Sequence, residues 1–93
     1  MKALIIEDEH LIATEMQATI KMIAPDIQVQ SVLPSIKAAK KWFSTETMPD
    51  LIFMDIKISD GLSFELFDLF AITCPVIFCT AYERHLPAFH FQI

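Results

Sequence analysis

The stretch Leu51-Ile52-Phe53-Met54-Asp55-Ile56-Lys57-Ile58-Ser59-Asp60-Gly61 decides the fold. Four apolar residues run without interruption into an acid, and a short polar loop follows that holds the only glycine of the chain, Gly61. An unbroken apolar run suits a strand covered on both faces, as in a parallel sheet. Such a strand delivers Asp55 to the carboxyl edge of the sheet, where open α/β folds bind ligands. The same arrangement occurs near the start, where apolar Ala3 to Ile6 is followed by Glu7, Asp8 and Glu9.

Outward from these two runs, the chain alternates strand and helix. Residues 3–7 read as the first strand, and Asp8 or Glu9 is placed to cap the helix that follows. Ile12, Met16, Ile20 and Ile23 recur at helical spacing between His10 and Ala24, and Pro25 ends that helix. Ile27 to Leu33 alternates and reads as a strand nearer an edge. A second helix starts at Ser35, with Ile36, Ala39, Trp42 and Phe43 as its apolar stripe and Lys37, Lys40 and Lys41 facing out. After the central strand 51–55, residues 62–70 read as a short helix with Leu62, Leu66, Leu69 and Phe70 inward. Val76 to Cys79 reads as a fourth strand ending at Thr80 and Ala81. Residues 83–93 form no strong helix, because Pro87 forbids a helix interior there. The order βαβαβαβ plus a tail implies a parallel sheet in one α/β domain spanning residues 1–93.

Composition narrows the function. The chain has 93 residues, 54% of them apolar, eight phenylalanines and a net charge of −5. An acidic chain argues against a nucleic-acid or anionic-membrane surface. No apolar run approaches the roughly 20 residues that span a bilayer, and the opening residues reach acids too soon for a signal peptide. A cytoplasmic location follows as the expectation. Cys74 and Cys79 lack histidines at ligand spacing and read as buried reduced thiols. His10, His85 and His90 are not spaced as a metal site.

If Glu7, Asp8 and Asp55 converge, their like charges raise one another's pKa unless a cation compensates. Mg²⁺ takes oxygen ligands and commonly pairs one or two carboxylates with a phosphate. Asp55 is then a candidate nucleophile that forms an acyl phosphate, and the Thr80 hydroxyl is placed to donate to an added phosphoryl oxygen. Taken singly, each residue is better explained as a cap or turn residue. Their joint placement, one after each of three apolar runs, points to a site.

Glu7-Asp8 after LII, Asp55 after LIFM, Gly61 in the next loop and Thr80-Ala81 after VIFC resemble the receiver domain of two-component response regulators. DGLSFELF and VIFCTAYERHLPAFHFQI are most similar to receivers of the LytTR (AlgR/LytR-type) subgroup. The resemblance implies a flavodoxin-like (CheY-like) doubly wound sheet, and the strand order 2-1-3-4-5 is the one known for such receivers. It implies a sensor histidine kinase as phosphoryl donor to Asp55. It also implies Mg²⁺ held by Glu7, Asp8, Asp55 and the backbone carbonyl of Lys57, with Thr80 as the switch hydroxyl. The implied output is transcription control through a DNA-binding domain not contained in these residues. Receivers also carry a fifth strand with a lysine-proline pair and a fifth helix, which are not found before Ile93. Four strands are therefore expected here, with the fourth at an open edge. Three outcomes follow: a longer regulator of which this is a part, a homodimer through the exposed edge of the fourth strand, or a marginal fold.

Two other functions compete. One is a pure dimerisation or interaction module without productive phosphorylation. The other is an Asp-nucleophile phosphohydrolase, for which Asp55 lies after the wrong strand and lacks a second acid two residues on. DNA binding by Lys37, Lys40 and Lys41 is the weakest reading, since three lysines on one helical face are commonly just solvated.

Overall fold

Alternate side chains of a strand point to opposite faces, so a run such as LIFM needs apolar cover on both sides. The computed structural model provides it, and describes residues 1–80 and 88–92, with side chains through Cys79. Strands β1 (Lys2–Ile6), β2 (Gln28–Leu33) and β3 (Leu51–Met54) are joined by helices α1 (His10–Ile23) and α2 (Ile36–Thr45). A small two-stranded unit, β4 (Lys57–Ile58) and β5 (Gly61–Leu62), precedes the short helix α3 (Glu65–Leu69). Strands β6 (Val76–Thr80) and β7 (Ala88–Gln92) complete the main sheet, whose order is β2-β1-β3-β6-β7. The first four are mutually parallel, giving the doubly wound α/β fold expected from the sequence.

The two faces bury different halves of the same strands. Leu4, Ile6, Ile52, Met54, Val76 and Phe78 pack with Leu33 and Ile36, Ala39 and Leu66 of α2 and α3. Ala3, Ile5, Leu51, Phe53 and Cys79 pack on the other face against Met16 and Ile20 of α1. Full burial of a Leu, Ile or Phe side chain contributes about 1.5–3 kcal/mol, so these strands are where the fold's stability concentrates. Ser35 begins α2 as expected, its Oγ accepting from the Ala38 N–H at 3.0 Å. On the α1 face an apolar cavity of about 360 Å³ remains, lined by residues including Ile20, Ile23, Ile27, Phe53 and Ile77.

Several expectations change. The helix expected over 62–70 shrinks to Glu65–Leu69, because residues 57–62 pair as an antiparallel hairpin instead. Leu62 and Leu69 are consequently exposed, Phe70 is half-buried, and Leu66 is the buried residue of α3. Ile23, expected inward, is exposed at the end of α1. Glu9 occupies the position before α1, but neither it nor Asp8 caps the helix through its side chain; the Glu7 carboxylate takes the Glu9 N–H instead. The edge of β6, expected to lie open, is paired antiparallel with β7 from Val76↔Gln92 to Thr80↔Ala88. A fifth strand thus occupies the edge assigned to a homodimer contact, since its backbone meets the same unpaired groups a partner would. Both cysteines are free; Cys79 is buried as expected, whereas Cys74 is half-buried. His85 lies outside the described residues, as do the side chains of Thr80 and His90.

Candidate functional site

Register brings the acids together. Ile6 pairs with Met54, so β1 and β3 end at one level, and Met54 pairs with Phe78, beyond which β6 runs two residues further to Thr80. The ladder continues one step further on each side of β1, where the Glu7 N–H donates to the Leu33 carbonyl at 3.1 Å and the Asp55 N–H to the Ile6 carbonyl at 3.0 Å. Glu7 and Asp55 are therefore held by backbone bonds at the carboxyl edge of the sheet. Carboxylate oxygens of Glu7, Asp8 and Asp55 all lie within 4.8 Å of one another. Glu9, although in the same acidic run, is exposed and stands outside this cluster.

The electrostatics are unfavourable without a counter-ion. Glu7 is only 3% exposed, and burial first, then the charges of Asp55 and Asp8, push its carboxyl up to about 7 against the bond it accepts from Glu9. Asp55 is shifted upward too, chiefly by burial and further by the charges of Asp8 and Glu9; the backbone N–H groups of Ile56 and Lys57 partly offset this. Cys79, on the neighbouring strand, is pushed up to about 12 by burial and by the charges of Asp55 and Glu7, and so stays a thiol. An all-oxygen cluster of three acids is the donor set a hard divalent cation takes.

The loop after Asp55 is more ordered than its sequence suggests. Ser63, fully buried, donates its hydroxyl to the carbonyls of Asp55 at 2.6 Å and Ile56 at 3.1 Å, and its N–H to the Ile56 carbonyl at 2.8 Å. The hairpin 57–62 is thereby closed at its base. At its tip the Ser59 N–H donates to Asp8 Oδ2 at 2.9 Å. Asp60 accepts from the N–H groups of Ile36 at 2.8 Å and Lys37 at 3.1 Å, at the start of α2. Gly61 adopts φ +147°, a conformation open to glycine and strained for other residues.

Three of the five expected site residues, Glu7, Asp8 and Asp55, are thus brought together. Lys57 opens β4 two residues beyond Asp55, with an exposed side chain. Thr80 ends β6, one strand over from Asp55. Sequence reading missed Ser63 and Asp60. Ser-Asp-Gly reads as a turn, and nothing in it reports that Asp60 reaches a helix 24 residues earlier.

No protein-family model matches the chain, and no curated protein matches it. Two solved structures do. The response regulator PhyR from Brucella abortus shares 30% identity at a TM-score of 0.72, covering 91% of this chain and 35% of its own. A second structure, of the PhyR stress response regulator, shares 30% identity at a TM-score of 0.66, covering 91% of this chain and 33% of its own. The chain thus spans about a third of the length of each. Its fold is the receiver-type α/β fold of these response regulators. Among the described residues, no helix is long and apolar enough to cross a membrane.

Proposed function

We propose that residues 1–93 are the phosphoacceptor receiver domain of a two-component response regulator, a cytoplasmic signalling switch rather than a turnover enzyme. The observation that carries this reading is the convergence of Glu7, Asp8 and Asp55 at the carboxyl edge of a parallel sheet. A carboxylate oxygen of Asp55 attacks the phosphorus of a phosphohistidine on a sensor histidine kinase. The P–N bond breaks, the imidazole leaves with the electron pair and takes up a proton, and Asp55 becomes an acyl phosphate.

Glu7, Asp8 and Asp55, with the backbone carbonyl of Lys57, would hold Mg²⁺. Bound there, the ion offsets the charge that develops on the transferring oxygens. The chain's own contribution is positional. Backbone bonds fix Asp55 at the strand end, and Ser63 fixes the peptide that follows it. Thr80 donates its hydroxyl to a phosphoryl oxygen in the modified state. The added charge and acceptor oxygens then favour a second packing of the loops around Asp55. The LytTR subgroup, with transcription as its output through a DNA-binding domain outside these residues, is the finer reading that the sequence resemblance supports.

A second reading is an interaction module without productive phosphorylation. The aromatic rings of Phe64 and Phe67 favour it: both are exposed, and they lie 5.5 and 6.3 Å from Phe78 on the α3 side. Intact mass after incubation with Mg²⁺ and a small-molecule phosphodonor separates the two. One phosphoryl group, not formed when Mg²⁺ is chelated beforehand and absent from Asp55→Asn, is the expected result. An unmodified wild-type chain overturns the phosphoacceptor reading in favour of the module.

A further inference from the structure

We infer that Asp60 is a positioning residue that makes the start of helix α2 follow the occupancy of the Glu7–Asp8–Asp55 cluster. The inference rests on the metal reading of that cluster. It begins from one carboxylate with two duties. Asp8 contributes an oxygen to the cluster, while its Oδ2 accepts the Ser59 N–H at 2.9 Å. A cation drawn to the cluster pulls on the same carboxylate that holds the hairpin tip.

The next link is covalent, since Asp60 follows Ser59. Asp60 spends both carboxylate oxygens on α2, Oδ1 on the Ile36 N–H and Oδ2 on the Lys37 N–H. A helix leaves its first N–H groups without partners inside the helix. In α2 the Ser35 hydroxyl serves Ala38, and Asp60, from a different element, serves Ile36 and Lys37. Charge-assisted bonds of this kind are directional, so a shift of the carboxylate is felt at both amides.

The hairpin between these contacts is a stiff body. Lys57 pairs with Leu62 and Ile58 with Gly61, Ser63 locks the base, and Ile58 is buried against the core under α2. A pull at Ser59 is therefore delivered at Asp60 instead of being absorbed within the loop. The arrangement gives the cluster a mechanical connection to α2 that bypasses β6 and Thr80.

Amide NMR of the 93-residue chain during a Mg²⁺ titration tests this. The expected result is that the Ser59, Ile36 and Lys37 amides shift with one common midpoint. In Asp60→Ala the Ser59 shift persists and the response at Ile36 and Lys37 is lost. Asp60→Asn, which keeps one acceptor oxygen, retains a response at one of the two amides. If Ser59 shifts in the wild type while Ile36 and Lys37 stay still, the connection is wrong and the metal reading stands. An α2 response unchanged in Asp60→Ala shows that Asp60 is not the link. Absence of any Mg²⁺-dependent shift near Asp8 overturns the metal reading and the connection with it. If Asp60→Ala does not fold, Asp60→Asn carries the test: a response unchanged at both amides shows that Asp60 is not the link.

Discussion

Glu7, at the carboxyl edge of the main sheet, and Asp60, in the tip of the β4–β5 hairpin, are carboxylates whose surroundings push them in opposite directions. Asp60 is exposed, and the Ile36 and Lys37 N–H groups at the start of α2 hold its carboxyl below the usual range. Glu7 is buried beside two other acids, and its carboxyl is raised to about 7. Asp60 has the partners its charge needs, as a carboxylate built into the architecture does. Among the described residues Glu7 accepts from one backbone donor, the Glu9 N–H, and faces two negative neighbours, a deficit that a cation would offset. Acidic character alone does not identify a site; the balance of donors against like charges does.

The largest expected effect lies at Asp8, which connects the two environments. On the proposed reading, Asp8→Ala removes a metal ligand and the anchor of Ser59 together. Loss of metal-based charge stabilisation costs several kcal/mol in the transition state, so phosphorylation by a small phosphodonor is expected to slow by about a hundredfold or more. An unchanged rate and Mg²⁺ dependence would place the ion elsewhere.

The pH dependence of stability separates Glu7 from Asp60 next. The folded state of Glu7 keeps a proton that the unfolded chain gives up near 4.5. Its stabilising contribution is therefore full below that value and is lost as pH rises through about 7. The loss is at most ~3.4 kcal/mol at 1.36 kcal/mol per pH unit, and less after solvent screening. Asp60 has the opposite sign: its contribution is present above the ordinary carboxylate range and is lost as pH falls through its lowered pKa. Thermal melts should show Glu7→Gln flattening the loss between pH 5 and 8, and Mg²⁺ stabilising the wild type more at pH 8 than at pH 5. A Mg²⁺ effect that grows as pH falls would contradict the assignment of Glu7.

Gly61→Ala probes the hairpin that joins the two regions. A Cβ at φ +147° would stand 2.6 Å from Glu65 Oε2 and 3.0 Å from Ile36 Cδ1. The exposed Glu65 carboxylate can swing aside, whereas Ile36 is packed in the core and must give by a few tenths of an ångström; with the backbone conformation the cost is on the order of 1–3 kcal/mol by chemical denaturation. A neutral substitution would show that the hairpin tolerates another conformation and is a weak connector.

The sequence was legible where burial dictates pattern. LII and LIFM have no polar interruption because both sheet faces are covered, and parallel strands of that kind end in register, which gathers Glu7, Asp8 and Asp55. It was less legible where bonds run between elements distant in sequence. The hairpin 57–62 exists because Ser63 closes its base and Asp60 reaches α2. Neither bond leaves a periodic trace, so the spacing of Leu62 reads as helical although the residue lies in β5. The pairing of β7 with β6 escaped for a related reason: Pro87 correctly argued against a helix, but exclusion of a helix does not indicate a strand partner.

On the proposed reading, Asp55 alone accepts the phosphoryl group among several acids crowded at one edge. The most direct measurement is borohydride reduction of the chain after treatment with Mg²⁺ and a phosphodonor, followed by peptide mass mapping. An acyl phosphate is reduced to the alcohol, which converts the modified aspartate to homoserine. The account predicts that conversion at position 55, dependent on Mg²⁺, with Asp8 and Asp60 unaltered. Conversion at another acid, or none at position 55, would contradict it.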